Sequence, residues 1–391
     1  MMPSDHPDNL WNQTVYARIE KEVDPFRDKK YFRPLHRAYT GDTTFWSVPS
    51  PEPDLDDEFW EMLKNHLDSE IVKSAAVKLG EEIFQWEPDG NKLIFAAILR
   101  AGVPIADWLC QMMHGSVAVS LSLFVGLGID RIALQMIQKT WPERKIVFVD
   151  GWTGKGGVAR AIRELNCGPL AVLNDPWGCA DFSGIQKDIF CPTACFTGAS
   201  TLGFSRTFFT EEHRLFSAYR FPRKYCRTDL VEKWQKLCPK SADSLSSDMR
   251  QPEPERNQKS SVISVKPSVS SVGKKIFAKS DIADFNHKEH KEGTKDTGLA
   301  DRNSKLIQNG SKTQTPFFME TKLRIHANEV CRALINAAPE NVMFFHDAAY
   351  VKEHYPLLPV LAERRKVNIL YECRELENLK TAVACSLKTE N

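Results

Sequence analysis

Short apolar runs alternate with helix-length amphipathic segments in the first half of the chain. The runs contain several β-branched residues, and they span 93–99, 117–123, 146–149 and 170–173. The segments beside them have apolar residues at spacings of three and four, and they span 71–84, 104–113, 131–140 and 158–165. Strands that alternate with helices form parallel βαβ units, so the pattern predicts an α/β fold whose parallel sheet has helices on both faces. Ligands of such sheets bind beyond the carboxyl ends of the strands.

The composition divides the 391-residue chain into folded and unfolded parts. Apolar residues make up 42% of the chain, which is enough for a large core, and the formal charge of +1 creates no long-range attraction to nucleic acid or to an anionic membrane. Residues 241–315 are rich in Ser and Lys and contain only two aromatic residues. We therefore predict an N-terminal arm with a helical extension over 1–67, a folded domain over 68–240, a disordered linker over 241–315 and a small domain over 316–391.

The cysteines and the N-terminus predict the compartment. The ten cysteines include no Cys-x-x-Cys pair, which indicates reduced thiols. The first 16 residues are polar where a signal peptide would be apolar, and no segment has 18 consecutive apolar residues. These features predict a cytoplasmic protein that does not bind membranes.

The stretch Lys145–Arg160 is the most informative for chemistry. It runs from a buried-type strand through Asp150 into a glycine-rich turn and then into a helix. The glycines of the turn are Gly154, Gly156 and Gly157. Without Cβ atoms they let the backbone approach a ligand, and the N–H groups at the helix start favour an anion. Thr153 adds a hydroxyl donor and Lys155 a positive charge, while Asp150 can bind sugar hydroxyls or hold Mg²⁺ through water. The alternative is a glycine-rich connection that binds nothing.

Two further loops are candidates for the same site. Arg100, Ala101 and Gly102 follow the strand at 93–99 and precede a helix. Gly102 permits an unusual turn, and Arg100 can donate two hydrogen bonds to phosphate oxygens, although an ion pair with a carboxylate is an equal alternative. The loop Phe124–Asp130 has the position to close over a reaction, and an ordinary turn explains it as well.

Five motifs carry a resemblance to one family. They are Leu99-Arg-Ala-Gly-Val-Pro-Ile105, Gly128-Ile-Asp130, Phe148-Val-Asp-Gly-Trp-Thr-Gly-Lys-Gly156, Cys191-Pro-Thr-Ala-Cys195 and Gly203-Phe-Ser-Arg-Thr207. They resemble the phosphoribosyltransferase-like proteins of tellurium-resistance and stress gene clusters, a family also labelled cysteine protease StiP. The resemblance covers roughly residues 68–209, and it implies a type I phosphoribosyltransferase-like domain.

The resemblance implies a Mg²⁺-dependent transferase that uses phosphoribosyl pyrophosphate and a nucleobase-like or small-metabolite acceptor. The catalytic residues that it implies are Asp150, Lys155 and Arg100. The donor-binding residues that it implies are Thr153, Gly154, Gly156, Gly157, Ala101 and Gly102. Asp150 would also hold Mg²⁺ through water. The chain departs from the usual motif at Gly151, which stands where a second acid is expected.

Three further residues near the predicted site are candidates for ligand contact. Asp175 and Trp177 follow the strand at 170–173 and suit the acceptor end, although packing explains Trp177 as well. Arg206 is a candidate for phosphate contact or for a structural ion pair.

Two other functions compete with the transferase. A cysteine hydrolase needs a thiol, a histidine base and an orienting group. Cys195 is the candidate nucleophile and Cys191 the second, with His114 and His213 as candidate bases. A buried structural thiol is the alternative for Cys195. The second rival is a non-catalytic nucleotide or phosphosugar sensor.

The C-terminal segment predicts a compact α/β/α unit. Its predicted elements are helices over 324–338 and 357–365, strands over 342–345 and 367–371, and a further element over 379–387. It resembles a Pelota-type RNA-binding domain, which implies RNA as a partner. The basic residues available for RNA are Lys322, Arg324, Arg364, Arg365, Lys366 and Lys380. A solvated helix end explains the Arg-Arg-Lys run as well.

Overall fold

The structure is a computed structural model, and it describes residues 10–33, 46–124, 126–210, 215–239, 323–337, 339–379 and 381–387. We call residues 10–239 the first region and residues 323–387 the C-terminal sheet domain. The predicted linker at 241–315 lies outside the described residues. Within them, no helix combines the length and the apolar character needed to cross a membrane.

Ten strands lie in the described residues of the first region. They are β1 (Thr14–Tyr16), β2 (Arg18–Glu22), β3 (Leu93–Ile98), β4 (Val117–Leu121), β5 (Leu123–Phe124), β6 (Gly128–Ile129), β7 (Lys145–Trp152), β8 (Leu170–Asn174), β9 (Phe182–Ile185) and β10 (Ser217–Arg220). Six of them form the main sheet in the order β1-β4-β3-β7-β8-β9, and every neighbouring pair in it is parallel. The prediction of an α/β fold with a parallel sheet is therefore confirmed. Strands β5 and β6 pair as a hairpin where the sequence predicted a loop.

The helices of the first region follow the amphipathic segments. They are α1 (Asp57–Asn65), α2 (Glu70–Trp86), α3 (Val103–Met112), α4 (Arg131–Thr140), α5 (Gly157–Leu165), α6 (Ala199–Leu202) and α7 (Thr228–Lys236). Asp56 and Asp130 cap α1 and α4, since their carboxylates accept from the backbone N–H groups of Phe59 and Ala133, both at 2.9 Å. The four helices predicted from periodicity correspond to α2, α3, α4 and α5.

Strand β3 shows how the sheet is buried on both faces. Leu93, Phe95 and Ala97 pack into one part of the core together with residues of α2, α3 and α7. The alternate residues, such as Ile94, pack into another part with residues of α4 and α5. Each large side chain removed from water stabilises the fold by about 1.5–3 kcal/mol. The carboxyl ends of the central strands are therefore fixed in place by packing on both faces.

The described residues of the C-terminal sheet domain form four strands and three α-helices. Its strands are β11 (Leu323–Ile325), β12 (Asn341–Phe344), β13 (Asn368–Leu370) and β14 (Val383–Ser386), in the order β11-β14-β12-β13. Its helices are α8 (Ala327–Asn336), α9 (Ala348–His354) and α10 (Leu357–Arg364). Arg324 lies in a strand rather than in the predicted helix, because β11 pairs with β14 and places Arg324 opposite Cys385.

Two helices connect this domain to the first region. Helix α8 packs against the 3₁₀-helix Pro192–Thr197, and α10 contacts α1. Arg364 at the end of α10 pairs with Asp56 at 2.6 Å and with Glu58 at 3.1 Å. One of the basic residues predicted for RNA is therefore engaged by carboxylates of the first region, while Lys322 and Lys380 lie outside the described residues. RNA binding stays a prediction.

Candidate functional site

The two predicted loops come together at the carboxyl ends of β3 and β7. Residues 100–102 follow β3, Asp150 lies in β7, and residues 153–157 follow β7. A Cβ on Gly102 would lie 2.1 Å from the carbonyl oxygen of Val149, so only glycine permits this approach of the loop to β7. The role of Gly102 in the structure is therefore close backbone packing.

Arg100 is held by the protein itself. Its guanidinium donates to Glu52 at 2.9 Å and to Asn336 at 3.2 Å. Glu52 in turn accepts from the backbone N–H of Ala199 at 3.0 Å. Both members of the Arg100–Glu52 pair are buried, at 8% exposure each. The contacts of Arg100 are therefore those of the predicted alternative, an ion pair with a carboxylate.

Asp150 is partly buried, and its carboxylate has a hydrogen-bond partner in the backbone. It accepts a hydrogen bond from the N–H of Gly151 at 2.8 Å. Burial raises its pKa to about 7, although the neighbouring charge of Arg332 opposes that shift. Burial therefore disfavours the charged form of Asp150, and its role in holding Mg²⁺ stays a prediction. Among the described residues there is also no group of three or more His, Cys, Asp or Glu that suits a metal ion.

In the turn after β7, the hydroxyl of Thr153 already has a partner within the protein, whereas the backbone N–H groups of residues 154–156 do not. The Thr153 hydroxyl donates to the carboxylate of Asp175, and Asp175 also accepts from the N–H of Ala180 at 2.7 Å. Gly156 adopts a left-handed conformation with φ of 77°. Within the described part of the chain, the backbone N–H groups of residues 154–156 have no acceptor. Asp175 therefore has a structural role, whereas the turn retains donors for a ligand.

The other two predicted residues near the site, Trp177 and Arg206, contact different side chains. Trp177 is 45% exposed and meets the ring of His326 edge-on at a centroid distance of 5.9 Å. The Arg206 guanidinium lies over the rings of Trp46 and Phe124, at 4.7 and 5.2 Å from their centroids. Neither packing contact involves the glycine-rich turn.

Cys195 is enclosed at the interface with the C-terminal sheet domain. It lies in the 3₁₀-helix Pro192–Thr197, is 2% exposed, and has its Sγ 3.5 Å from the Sγ of Cys331 in α8. Cys191 is also buried, and its Sγ lies 2.9 Å from the hydroxyl of Thr193. Burial raises the pKa of Cys191 to about 11.

The candidate bases do not include His114. It is exposed and directly precedes β4, at the amino end of the parallel sheet, whereas the cysteines lie at the carboxyl edge. His213 lies outside the described residues.

The structure instead reveals His326, which is 1% exposed and has its Nδ1 3.5 Å from a carboxylate oxygen of Asp188. Neither ring nitrogen has a hydrogen-bond partner among the described residues. Its position before the amphipathic helix α8 was visible in the sequence, but nothing there indicated its contact with Asp188.

Comparison with known proteins identifies the family. The description "Tellurite-like stress resistance cysteine protease StiP" matches residues 39–234, which is half of the chain. The chain belongs to the StiP family. Both Cys191 and Cys195 lie within the matched residues.

A curated relative is also named as a cysteine protease. It is the "Cysteine protease StiP" of Acinetobacter baylyi, which is 32% identical to this chain over 114 residues. The match covers 26% of this chain and 30% of the relative's length.

The StiP assignment overturns the predicted enzyme class. The prediction of a phosphoribosyltransferase, a glycosyltransferase that uses phosphoribosyl pyrophosphate, is wrong, because the family and its relative are both named as a cysteine protease. The local contacts fit this correction. Arg100, predicted to face pyrophosphate, pairs with Glu52, and the Thr153 hydroxyl, predicted to bind phosphate, donates to Asp175.

Proposed function

We propose that the protein is a cysteine hydrolase that cleaves peptide bonds, with Cys195 as its nucleophile. The observation that carries the proposal is the match to the cysteine protease StiP description over residues that include Cys195. Cys191, which lies in the same matched residues, is the second candidate, and burial raises the pKa of its thiol to about 11.

His326 is the base in this proposal. Asp188 lies beside its ring and is placed to orient it, as the third member of a nucleophile–base–carboxylate set does. Asp188 is itself fixed, since it accepts from the backbone N–H groups of Ala327 at 3.0 Å and Ala382 at 3.1 Å. Cys331, which touches Cys195, lies five positions after His326, a little more than one helical turn. His326 and Cys195 therefore lie near the same interface, on opposite sides of it.

The described arrangement is the covered state of this site. At 2% exposure the Cys195 sulfur is closed to a peptide, and the cover is α8 through Cys331. We propose that α8 moves away from the 3₁₀-helix before substrate binds, as lids do in many enzymes.

The chemistry then follows the general course of nucleophilic catalysis. His326 takes the thiol proton, and the Cys195 thiolate attacks the peptide carbonyl carbon. The amine leaves with the proton from His326 and a thioester remains on Cys195. Water, which gives a proton to His326, attacks the thioester and releases the acid, and the thiol is restored.

We further infer that residues 68–240 have a phosphoribosyltransferase-like fold and residues 316–391 a Pelota-type fold. The parallel sheet with glycine-rich turns at its carboxyl edge supports the first inference, and the small mixed sheet supports the second. Because one fold serves many chemistries, this inference carries no transferase activity. An experimental structure superposed on members of both folds tests it.

A hydrolysis assay with matched variants tests the proposed function. Full-length protein under reducing conditions is incubated with fluorescently labelled casein. Cys195→Ala and His326→Ala should lower the rate at least ~100-fold, whereas Cys167→Ala and His114→Ala should retain it. Full hydrolysis by Cys195→Ala, or no hydrolysis by the unmodified protein, contradicts the proposal. If Cys195→Ala loses hydrolysis and His326→Ala retains it, Cys195 remains the proposed nucleophile and His213 becomes the candidate base.

A further inference from the structure

Two thiols meet across the interface between the first region and the C-terminal sheet domain. Cys195 lies in the 3₁₀-helix Pro192–Thr197 and Cys331 in α8, and both are free thiols. Their sulfur atoms are 3.5 Å apart, and a disulfide bond is about 2.0 Å long, so an approach of about 1.5 Å is enough to form one. The pair is therefore placed for oxidation to a disulfide.

Hydrogen bonds on the same side of α8 fix the position of the two sulfur atoms. The Asn328 side chain accepts from the backbone N–H of Cys191 at 2.8 Å and donates to the carbonyl oxygen of Ile189 at 3.0 Å. Cys331 follows Asn328 by three positions, so both side chains lie on one side of the helix. Because Asn328 holds this side against the segment that leads to Cys195, the contact of the thiols follows from the packing of α8.

Cys191 is the third buried thiol of this interface, but its sulfur atom has a different neighbour. It lies 2.9 Å from the hydroxyl oxygen of Thr193. Cys191 also precedes the 3₁₀-helix, whereas Cys195 lies within it. The thiol that faces Cys331 is therefore that of Cys195.

We propose that Cys195 and Cys331 are an oxidation site, at which hydrogen peroxide converts the two thiols into a disulfide that links the C-terminal sheet domain to the first region. Both sulfur atoms are enclosed, so the reaction begins when α8 opens. We assign the first step to Cys195, because burial raises the pKa of the Cys331 thiol and so disfavours its thiolate.

The oxidation proceeds in two steps that balance. The Cys195 sulfur attacks one oxygen of the peroxide, the O–O bond breaks, and the second oxygen leaves as water with the thiol proton. Cys195 is then a sulfenic acid. When α8 closes, the Cys331 sulfur attacks the sulfenic sulfur, and the hydroxyl group leaves as water with the Cys331 proton. The two thiols lose two electrons in total, and one hydrogen peroxide becomes two waters.

The disulfide also closes the proposed active site. It bonds the Cys195 sulfur and holds α8 on the 3₁₀-helix, so the oxidised protein should lose hydrolysis and regain it with dithiothreitol. This consequence rests on the proposed function. The disulfide itself does not, because its formation needs only the two thiols and the peroxide.

Peptide mass spectrometry of the oxidised full-length protein tests the site. The reduced protein is treated with hydrogen peroxide, unfolded with N-ethylmaleimide to block the remaining thiols, and digested with trypsin without reductant. We expect a linked peptide pair that dithiothreitol separates. Cys191 and Cys195 share one tryptic peptide, so fragmentation of the linked pair must locate the bond on Cys195.

Variants of the neighbouring thiols sharpen the test. Cys331→Ala should lose the link, and its Cys195 should accumulate sulfinic acid at least ~10-fold more than in the unmodified protein, because no second thiol traps the sulfenic acid. Two other buried cysteines provide the matched controls. Cys191→Ala and Cys385→Ala should both keep the link between Cys195 and Cys331.

A disulfide between Cys195 and Cys191, or no disulfide in the unmodified protein, overturns the proposal. If Cys331→Ala does not fold by circular dichroism, the unmodified protein and the two control variants decide. Casein hydrolysis is measured on the same samples. A fully linked protein that still hydrolyses casein contradicts Cys195 as the nucleophile and leaves the disulfide supported, whereas hydrolysis by the reduced protein without any link after oxidation overturns the disulfide alone.

Discussion

The sulfur atoms of Cys195 and Cys331 lie 3.5 Å apart, although 136 positions separate the two residues in the chain. The first belongs to the part of the chain that matches the StiP family and the second to the C-terminal sheet domain. Both are almost fully enclosed, at 2% and 0% exposure. The C-terminal sheet domain is therefore in the position of a cover over the proposed nucleophile.

Removing the anchor of this cover should expose Cys195. Asp188 accepts from Thr381 at 3.0 Å and from two backbone N–H groups of the C-terminal sheet domain. Asp188→Ala should increase the rate at which iodoacetamide alkylates Cys195 at least ~10-fold, because hydrogen bonds to a charged group stabilise by about 1.5–3 kcal/mol. Mass spectrometry of peptides measures the rate. Asp89→Ala is the control, and equal rates in both variants would argue against the cover.

Asp150 should make stability depend on pH. Its pKa is raised from 3.8 to about 7, so the folded protein binds this proton more tightly than the unfolded chain does. The free energy of unfolding should therefore fall as pH rises from about 4 to 7, by at most about 4 kcal/mol. Asp150→Asn should gain stability relative to the unmodified protein at pH 8 and lose this dependence. Urea denaturation across pH measures it, with Glu143→Gln as the control. Parallel pH curves for Asp150→Asn and the unmodified protein would refute it.

Glu52 should be important for stability through Arg100. Glu52→Gln leaves the buried Arg100 charge without its carboxylate, which costs about 3–5 kcal/mol. The neighbouring exposed residue provides the control, since Asp54→Asn should stay within about 0.5 kcal/mol. Chemical denaturation measures both changes. If Glu52→Gln lowers the free energy of unfolding by less than about 1 kcal/mol, the Arg100–Glu52 pair is not needed for stability.

Two stacked indoles should anchor α7 on α3. The rings of Trp108 and Trp234 are parallel with centroids 3.7 Å apart, and the Trp108 indole N–H donates to the Trp234 carbonyl at 2.9 Å. Trp234→Ala should lower the free energy of unfolding by about 3–5 kcal/mol, because it opens a large cavity. Trp86→Ala, at a side chain that is 41% exposed, should cost clearly less. Equal losses for the two variants in urea denaturation would contradict this account.

The fold was predictable where the signal is local. The central strands and α2 to α5 were predicted from the spacing of apolar residues within short windows. In β3, for example, alternate residues pack into two different parts of the core. Strand β1 has three residues and pairs with β4, about a hundred positions later, so no local pattern marks it. Strand β11 was predicted as the start of a helix for the same reason, since its state depends on pairing with β14.

The site was predictable only in part. The turn after β7 and the loop after β3 could be located because glycines and strand ends are visible in the sequence. The partner of Arg100 is Glu52, 48 positions earlier, and the partner of His326 is Asp188, so both relationships depend on tertiary structure. The prediction of the enzyme class was wrong because it came from a resemblance to a fold, and one fold serves many reactions.

Trapping of a covalent intermediate tests the central claim most directly. The full-length protein is incubated with p-nitrophenyl acetate, and the site of acylation is determined by peptide mass spectrometry before and after treatment with hydroxylamine, which cleaves thioesters. We expect one hydroxylamine-sensitive acetyl group on Cys195, absent from Cys195→Ala and retained in Cys167→Ala. Acetylation of a different cysteine, or full turnover by Cys195→Ala, would contradict the assignment of Cys195 as the nucleophile.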